Sequence, residues 1–305
     1  MALLFGALGL QAQSAFDQAV FMHYTINPVL LNPAAAGFGR IHHVYGNFRS
    51  QWTGFPGSPN SYALNYNGPV TDNLGLGAGL MSESIGSLNR LGVRFHFSSH
   101  FQVGDSWRLA GGFTAEFQTE SIEDAVMDSP LFQPGDDIIM QGMDGNTIFD
   151  ATLGIYGTYE KNTSFGVAFP NLILTRLGEI EGSEPRGMAF NSFIVSAGHK
   201  FPVDAGAVIL EPIVMFQNLD RSPFRLDANL LAHFADGKLT TGLSGRIGTG
   251  GALGLLLGTK IEAFSIYYSY DVGFQRFEQY SSGAHEVSLG FAFGPRDDYD
   301  DYLRF

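Results

Sequence analysis

Strict alternation of apolar and polar residues constrains this chain more than any other feature, and it is clearest over Phe264–Phe274. Phe264, Ile266, Tyr268, Tyr270, Val272 and Phe274 share one face, and Ser265, Tyr267, Ser269, Asp271 and Gly273 the other. Successive side chains of an extended strand point to opposite sides, so the stretch has one oily face and one wet face. Its length suits a tilted membrane-crossing strand, roughly 9–11 residues. The next stretch repeats the rule, with Val287, Leu289, Phe291 and Phe293 against Ser288, Gly290 and Ala292. Most of the chain carries the same pattern. It predicts an all-β fold, a transmembrane antiparallel up-and-down β-barrel of about 14 strands.

Composition separates this from a soluble sheet protein. Charged residues make up 15% of the 305-residue chain, against about 25% in an ordinary soluble domain. The polar faces hold Gly, Ser, Thr and Asn rather than Lys and Glu, which suits an enclosed lumen better than a surface in bulk water. The net charge of −13 argues against nucleic acid, whose binding rests on neutralising phosphates with basic groups. With no cysteine in the chain, disulfides and thiolate metal sites are excluded. No stretch is long and uniformly apolar enough for a transmembrane helix.

The chain divides into four parts. Residues 1–15 read as a signal peptide, with the apolar run Ala2–Leu10 and cleavage near Ala12 or Ala15. In residues 16–40, Asn27-Pro28 and Asn32-Pro33 bracket Val29-Leu30-Leu31, and Gly37 follows. Proline disfavours helix at the residue before it, so an irregular segment with two turns is expected, serving as a linker or as a plug or docking element. Residues 41–294 are the barrel and residues 295–305 an acidic tail. With both chain ends on one side, the connections there are short: Gly68–Thr71, Gly104–Ser106, Lys161-Asn162, Val203–Gly206, Ala235–Lys238 and the residues around Glu262. The long ones, Glu120–Thr147 and Asn171–Gly187, fall on the other side. Short periplasmic turns and long outer loops are the habit of outer-membrane barrels.

No residue set reads as catalytic, cofactor-binding or metal-ligating. His96 and His100 share a face, but a four-residue spacing on a strand puts them roughly 13 Å apart, too far to chelate one ion. The acidic stretch around Gly135-Asp136-Asp137 lacks the spacing of a calcium loop. A turn at Gly104-Asp105-Ser106 sets Val103 opposite Trp107 and Arg94 opposite Glu116. Arg94 and Glu116 then face the lumen as an ion pair that braces the wall, because a one-residue slip would push Arg94 into lipid. Val44, Phe48 and Trp52 read as the outward row of the first strand.

Three segments resemble a known family. Phe21–Gly37 is similar to the N-terminal signature of the PorP/SprF type IX secretion membrane proteins. Arg49-Ser50-Gln51-Trp52-Thr53-Gly54 with Pro59 resembles that family's next motif, and Leu74-Gly75-Leu76-Gly77 with Ser84-Ile85-Gly86 its third. The resemblance implies a non-enzymatic barrel in the outer membrane of a Bacteroidetes cell, serving type IX secretion or gliding. It implies as partners a secreted, adhesin-like surface protein with a C-terminal sorting domain, periplasmic secretion components and outer-membrane lipid. A passive channel for small solutes is the alternative. On the anchoring reading, the segment with Asn27, Pro28, Asn32, Pro33 and Gly37 docks in or under the barrel, held by Arg49, Gln51 and Trp52.

Overall fold

A computed structural model describes residues 21–123, 127, 143, 145–173, 175–177, 190–203, 206–220, 222–248, 251–274 and 281–294. The signal-peptide reading, the acidic tail and most of the two long connections lie outside these residues.

The described chain forms one antiparallel sheet. Its strands are β1 (His42–Ser50), β2 (Asn60–Thr71), β3 (Leu74–Ile85), β4 (Leu88–Val103), β5 (Trp107–Ile122), β6 (Asn146–Tyr159), β7 (Thr163–Phe169) and β8 (Thr175–Leu177). They continue as β9 (Phe193–His199), β10 (Phe201–Val203), β11 (Val208–Asn218), β12 (Arg225–Phe234), β13 (Leu239–Ile247), β14 (Ala252–Ile261), β15 (Phe264–Gly273) and β16 (Ala284–Phe293). β8 continues β7 along the edge of β6, and β9 and β10 both pair with β11. The sixteen segments therefore make fourteen staves. β16 pairs with β1 from His42↔Phe293 to Ser50↔His285, which closes the barrel. Closure leaves no free edge, and only a closed sheet satisfies its backbone within lipid.

Exposure is inverted relative to a soluble protein. Leu253, Leu255 and Leu257 are 59%, 60% and 56% exposed, whereas Arg49, Glu286 and Asp227 are at most 1% exposed. The apolar rows face outward and the charges face in. The β4–β5 register places Val103 opposite Trp107, Phe97 opposite Phe113 and Arg94 opposite Glu116. Connections sort by end. At one end they run 72–73, 104–106, 160–162, 204–207, 235–238 and 262–263, none longer than four residues. The other end carries 86–87, 219–224 and 248–251 together with the four long connections 51–59, 123–145, 178–192 and 274–283.

Three details depart from the sequence reading. Trp52 does not continue the outward row of β1: the strand stops at Ser50, and Trp52 takes a left-handed φ of 50° in the connection that follows. Gly68–Thr71 is not a turn, because β2 runs on to Thr71 and absorbs Pro69, which lacks a ladder donor, through a register shift between Pro69 and Thr71. Within Asn171–Gly187, the short β8 resumes the sheet after Asn171 and Leu172 have bonded back to Asp150 Oδ2 and Ala151 O.

Candidate functional site: a segment held in the lumen

Residues 21–39 lie inside the barrel. Phe21, Tyr24 and Leu30 form a buried apolar cluster with Ala63 and Met81 on β2 and β3, and with Ala168, Ile194 and Met215 on β7, β9 and β11. The cluster reaches from one wall to the other, so it spans the lumen.

The local conformation follows from the residues. The segment folds as three single-turn 3-10 helices, His23–Thr25, Pro28–Leu30 and Pro33–Ala35. Each Asn-Pro pair starts one of the last two, with Asn at the cap and Pro in the first position, where its missing N–H costs nothing. Asn32 Oδ1 accepts from Ala34 N at 3.0 Å. The Asn32 Nδ2 donates to Ile155 O at 2.8 Å and to Val167 O at 3.3 Å, which ties the cap to β6 and β7. Asn27 makes no side-chain cap bond. The first turn, His23–Thr25, has no such sequence signal.

The wall is cut to receive this backbone. A Cβ on Gly75 would strike Ala36 O, one on Gly112 would strike the Ala34 backbone, and one on Gly154 would strike Asn32 Oδ1. Gly37 has φ 65°, and a Cβ there would stand 2.6 Å from Gly68 O. Ser98 Oγ donates to Ala34 O at 2.8 Å, and His100 Nε2 lies 3.0 Å from Ala36 O, so two lumen residues of β4 grip the third turn. Gly37 N donates to Asn67 Oδ1 at 3.2 Å.

At the other end of the segment the grip is electrostatic. Glu286 on β16 accepts from Met22 N at 2.7 Å and from His23 N at 3.0 Å. The same carboxylate pairs with Arg49 Nη1 at 3.0 Å, while Arg49 Nη2 meets Asp271 Oδ2 at 2.7 Å. His23 Nδ1 lies 2.5 Å from Ser288 Oγ, which is also bonded by Asn47 Nδ2. Burial, opposed by the Glu286 charge, holds the His23 imidazole below its ordinary range. The ring is thus neutral at pH 7, and Arg49 is the cation that answers Glu286. Nearby, Arg225 and Arg246 both pair with Asp227 and both donate to Met22 Sδ. The Tyr24 hydroxyl donates to Asp227 at 3.4 Å and accepts from Asn229 at 2.8 Å.

The sequence-derived residues fall into three groups. Asn27, Pro28, Asn32, Pro33 and Gly37 are all within the lumen segment, and Arg49 reaches that segment through Glu286. Gln51 and Trp52 lie in the β1–β2 connection, where Gln51 N donates to Pro59 O and Trp52 O accepts from Phe55 N. Arg94 Nε and Glu116 Oε2 are 2.9 Å apart on the lumen wall, away from the segment's clamp. Arg90 bridges Glu83 and Glu120 on the same wall. Sequence reasoning missed Glu286, Asp227, Arg225 and Arg246. Their one signal was a charge on the polar face of an amphipathic strand. His96 bonds Thr114 within the wall, and among the described residues no three His, Cys, Asp or Glu converge as metal ligands.

Solved structures with the same architecture are outer-membrane barrels. The TodX deltaS2S3 mutant monoaromatic hydrocarbon channel aligns over 87% of this chain and 92% of its own, with TM-score 0.52 and 10% identity. The CymD monoaromatic hydrocarbon channel aligns over 88% and 91%, with TM-score 0.50 and 12% identity. At such identity the likeness is one of fold. No curated protein sequence matches the chain. A family profile, type IX secretion system membrane protein PorP/SprF, matches residues 13–291. Matched over nearly the whole of its barrel, this chain is a member of the PorP/SprF family of type IX secretion system membrane proteins.

Proposed function

We propose that this outer-membrane protein is a non-enzymatic, plugged barrel that binds, and so anchors or helps export, a secreted surface protein of the adhesin type with a C-terminal sorting domain. The observation that carries the reading is the lumen segment. A solute channel needs a continuous path, whereas here an apolar cluster spans the barrel and a buried Arg49–Glu286 pair fastens the segment to the wall. On this reading Arg49 is the clamp, with Gln51 and Trp52 at the adjoining mouth.

The long connections are the outer, cargo-facing side, and the short turns face periplasmic secretion components. Cargo contact is assigned to the connection after β5. β5 ends at Ile122 and β6 begins at Asn146, so residues 124–144 can be exchanged for a short Gly-Ser linker without touching a strand. The exchange should lower surface retention of the cargo, scored on whole cells, while the barrel still assembles. Retention equal to the parent protein would refute this assignment. Conductance in planar bilayers separates the plugged anchor from the channel alternative.

A further inference from the structure

Inside the barrel, the spaces left beside Pro28 are small, about 70 and 50 Å³. A larger hollow lies on the outside. It holds about 420 Å³ and crosses β14, β15, β16 and β1, at the seam where the barrel closes. Val44, Gly46, Ile261, Phe264, Leu289 and Phe291 line it, and its surface is almost wholly apolar. Two lines of paired residues run along it. Thr259, Ile266, Leu289 and Gly46 stand side by side on the four strands, and Ile261, Phe264, Phe291 and Val44 do so two residues nearer the short-turn end.

Gly46 makes the hollow. The outward row of β1 reads Val44, Gly46, Phe48, so one side chain is missing from the middle of the strand. Glycine weakens a strand, and here neither the backbone nor a neighbour calls for it. Its φ is not left-handed, and a Cβ would meet nothing within 4 Å. The lumen glycines differ, since at Gly75, Gly112 and Gly154 the missing Cβ makes room for the segment. The room at Gly46 opens towards the membrane instead. Phe264 and Phe291, with ring centroids 4.8 Å apart, stand on the side nearer the turns, and Ile266 and Leu289 on the other.

We propose that this hollow binds one acyl chain of a zwitterionic phospholipid from the leaflet on the short-turn side. Its volume is that of a small-molecule site, about 300–1,000 Å³. Three strand spacings make it about 14 Å across, close to the roughly 15 Å of hydrocarbon in one leaflet. The bilayer core around it holds no water, so an apolar chain is what fills it. A chain in the hollow touches wall on several sides, and its dispersion contacts multiply accordingly. The rim selects the headgroup. Glu262 is exposed on the turn between the lining residues Ile261 and Phe264. Lys238 is exposed on the neighbouring turn, two residues after the exposed Asp236. The Lys238 carbonyl accepts from Thr259 Oγ1 at 3.0 Å and from Lys260 N at 2.9 Å, which fixes that turn beside the hollow. Anionic heads are drawn to clusters of basic residues. A rim with two acids and one lysine instead suits a head that carries both an ammonium and a phosphate.

The test uses the full-length protein in vesicles that contain phosphatidylethanolamine with a diazirine midway along one acyl chain. After irradiation, peptide mapping should find label on Val44–Phe48, Phe264–Ile266 and Leu289–Phe291. The excess over the Leu253–Leu257 row, which is exposed but lines no hollow, should be at least about fivefold, the mark of a modest binding preference. Gly46→Phe should erase that excess by filling the hollow, whereas Ala78→Phe, on the exposed face of β3, should leave it. Unlabelled phosphatidylethanolamine should compete at least about threefold better than phosphatidylglycerol. Migration of the unheated barrel on gels checks that each variant is folded. No label in the hollow because a second copy covers it, label spread evenly over the outward rows, an excess that survives Gly46→Phe, or equal competition by the two lipids would overturn the proposal. None of these readouts depends on cargo binding, so the anchoring reading stands or falls separately.

Discussion

Glu286 does more than any other single residue to hold the lumen closed. It answers a buried guanidinium and two backbone N–H groups at once, and removing one partner of such a buried set typically costs about 3–5 kcal/mol. Arg49→Leu should therefore release the segment, because it leaves Glu286 and Asp271 as adjacent uncompensated carboxylates. The expected outcome is protease cleavage between Phe21 and Arg40 in folded barrels, where the parent resists. A variant as resistant as the parent would show that the apolar cluster suffices alone. Arg49 was visible in the sequence as a charge on a polar strand face. Its partners were not, because Asp271 and Glu286 lie 222 and 237 positions away and nothing local marks the pairing. Trp52 misled for the opposite reason: its spacing continues the outward row, but the strand has already ended.

At the scale of elements, the strands were legible because lipid enforces period-two alternation over each one. Leu255, at the middle of β14 and 60% exposed, tests this. Leu255→Arg should cost about 2–4 kcal/mol, read as a lower urea midpoint for unfolding from vesicles. The glycine-rich β3 was the hardest strand to read, since glycine weakens strands on propensity. Its glycines face the lumen, and at Gly75 the absent side chain is the space that Ala36 fills. What propensity counted against the strand is what the segment requires of it. Gly112→Leu should likewise expel the third turn, opening the lumen and exposing residues 33–37 to protease. Gly46→Leu is the matched control, because a Cβ there would meet nothing within 4 Å. The segment's turns were half legible: Asn-Pro announced two of the three, while its position inside the barrel is a long-range fact that no local pattern carries.

Taken whole, the molecule is a membrane wall built around a piece of its own chain. The inversion of burial, with leucines outside and arginines within, gives a barrel; the filled lumen separates it from a pore. Loop sorting gives the two ends different company, long connections on one side and short turns on the other. The claim on which this account turns is that the lumen is shut by residues 21–39. Single-channel conductance in planar bilayers, comparing the parent protein with a variant lacking those residues, tests it most directly. The account predicts a silent parent and a variant with steady open-channel current. A parent that conducts steadily, at a level unchanged by the deletion, would contradict it.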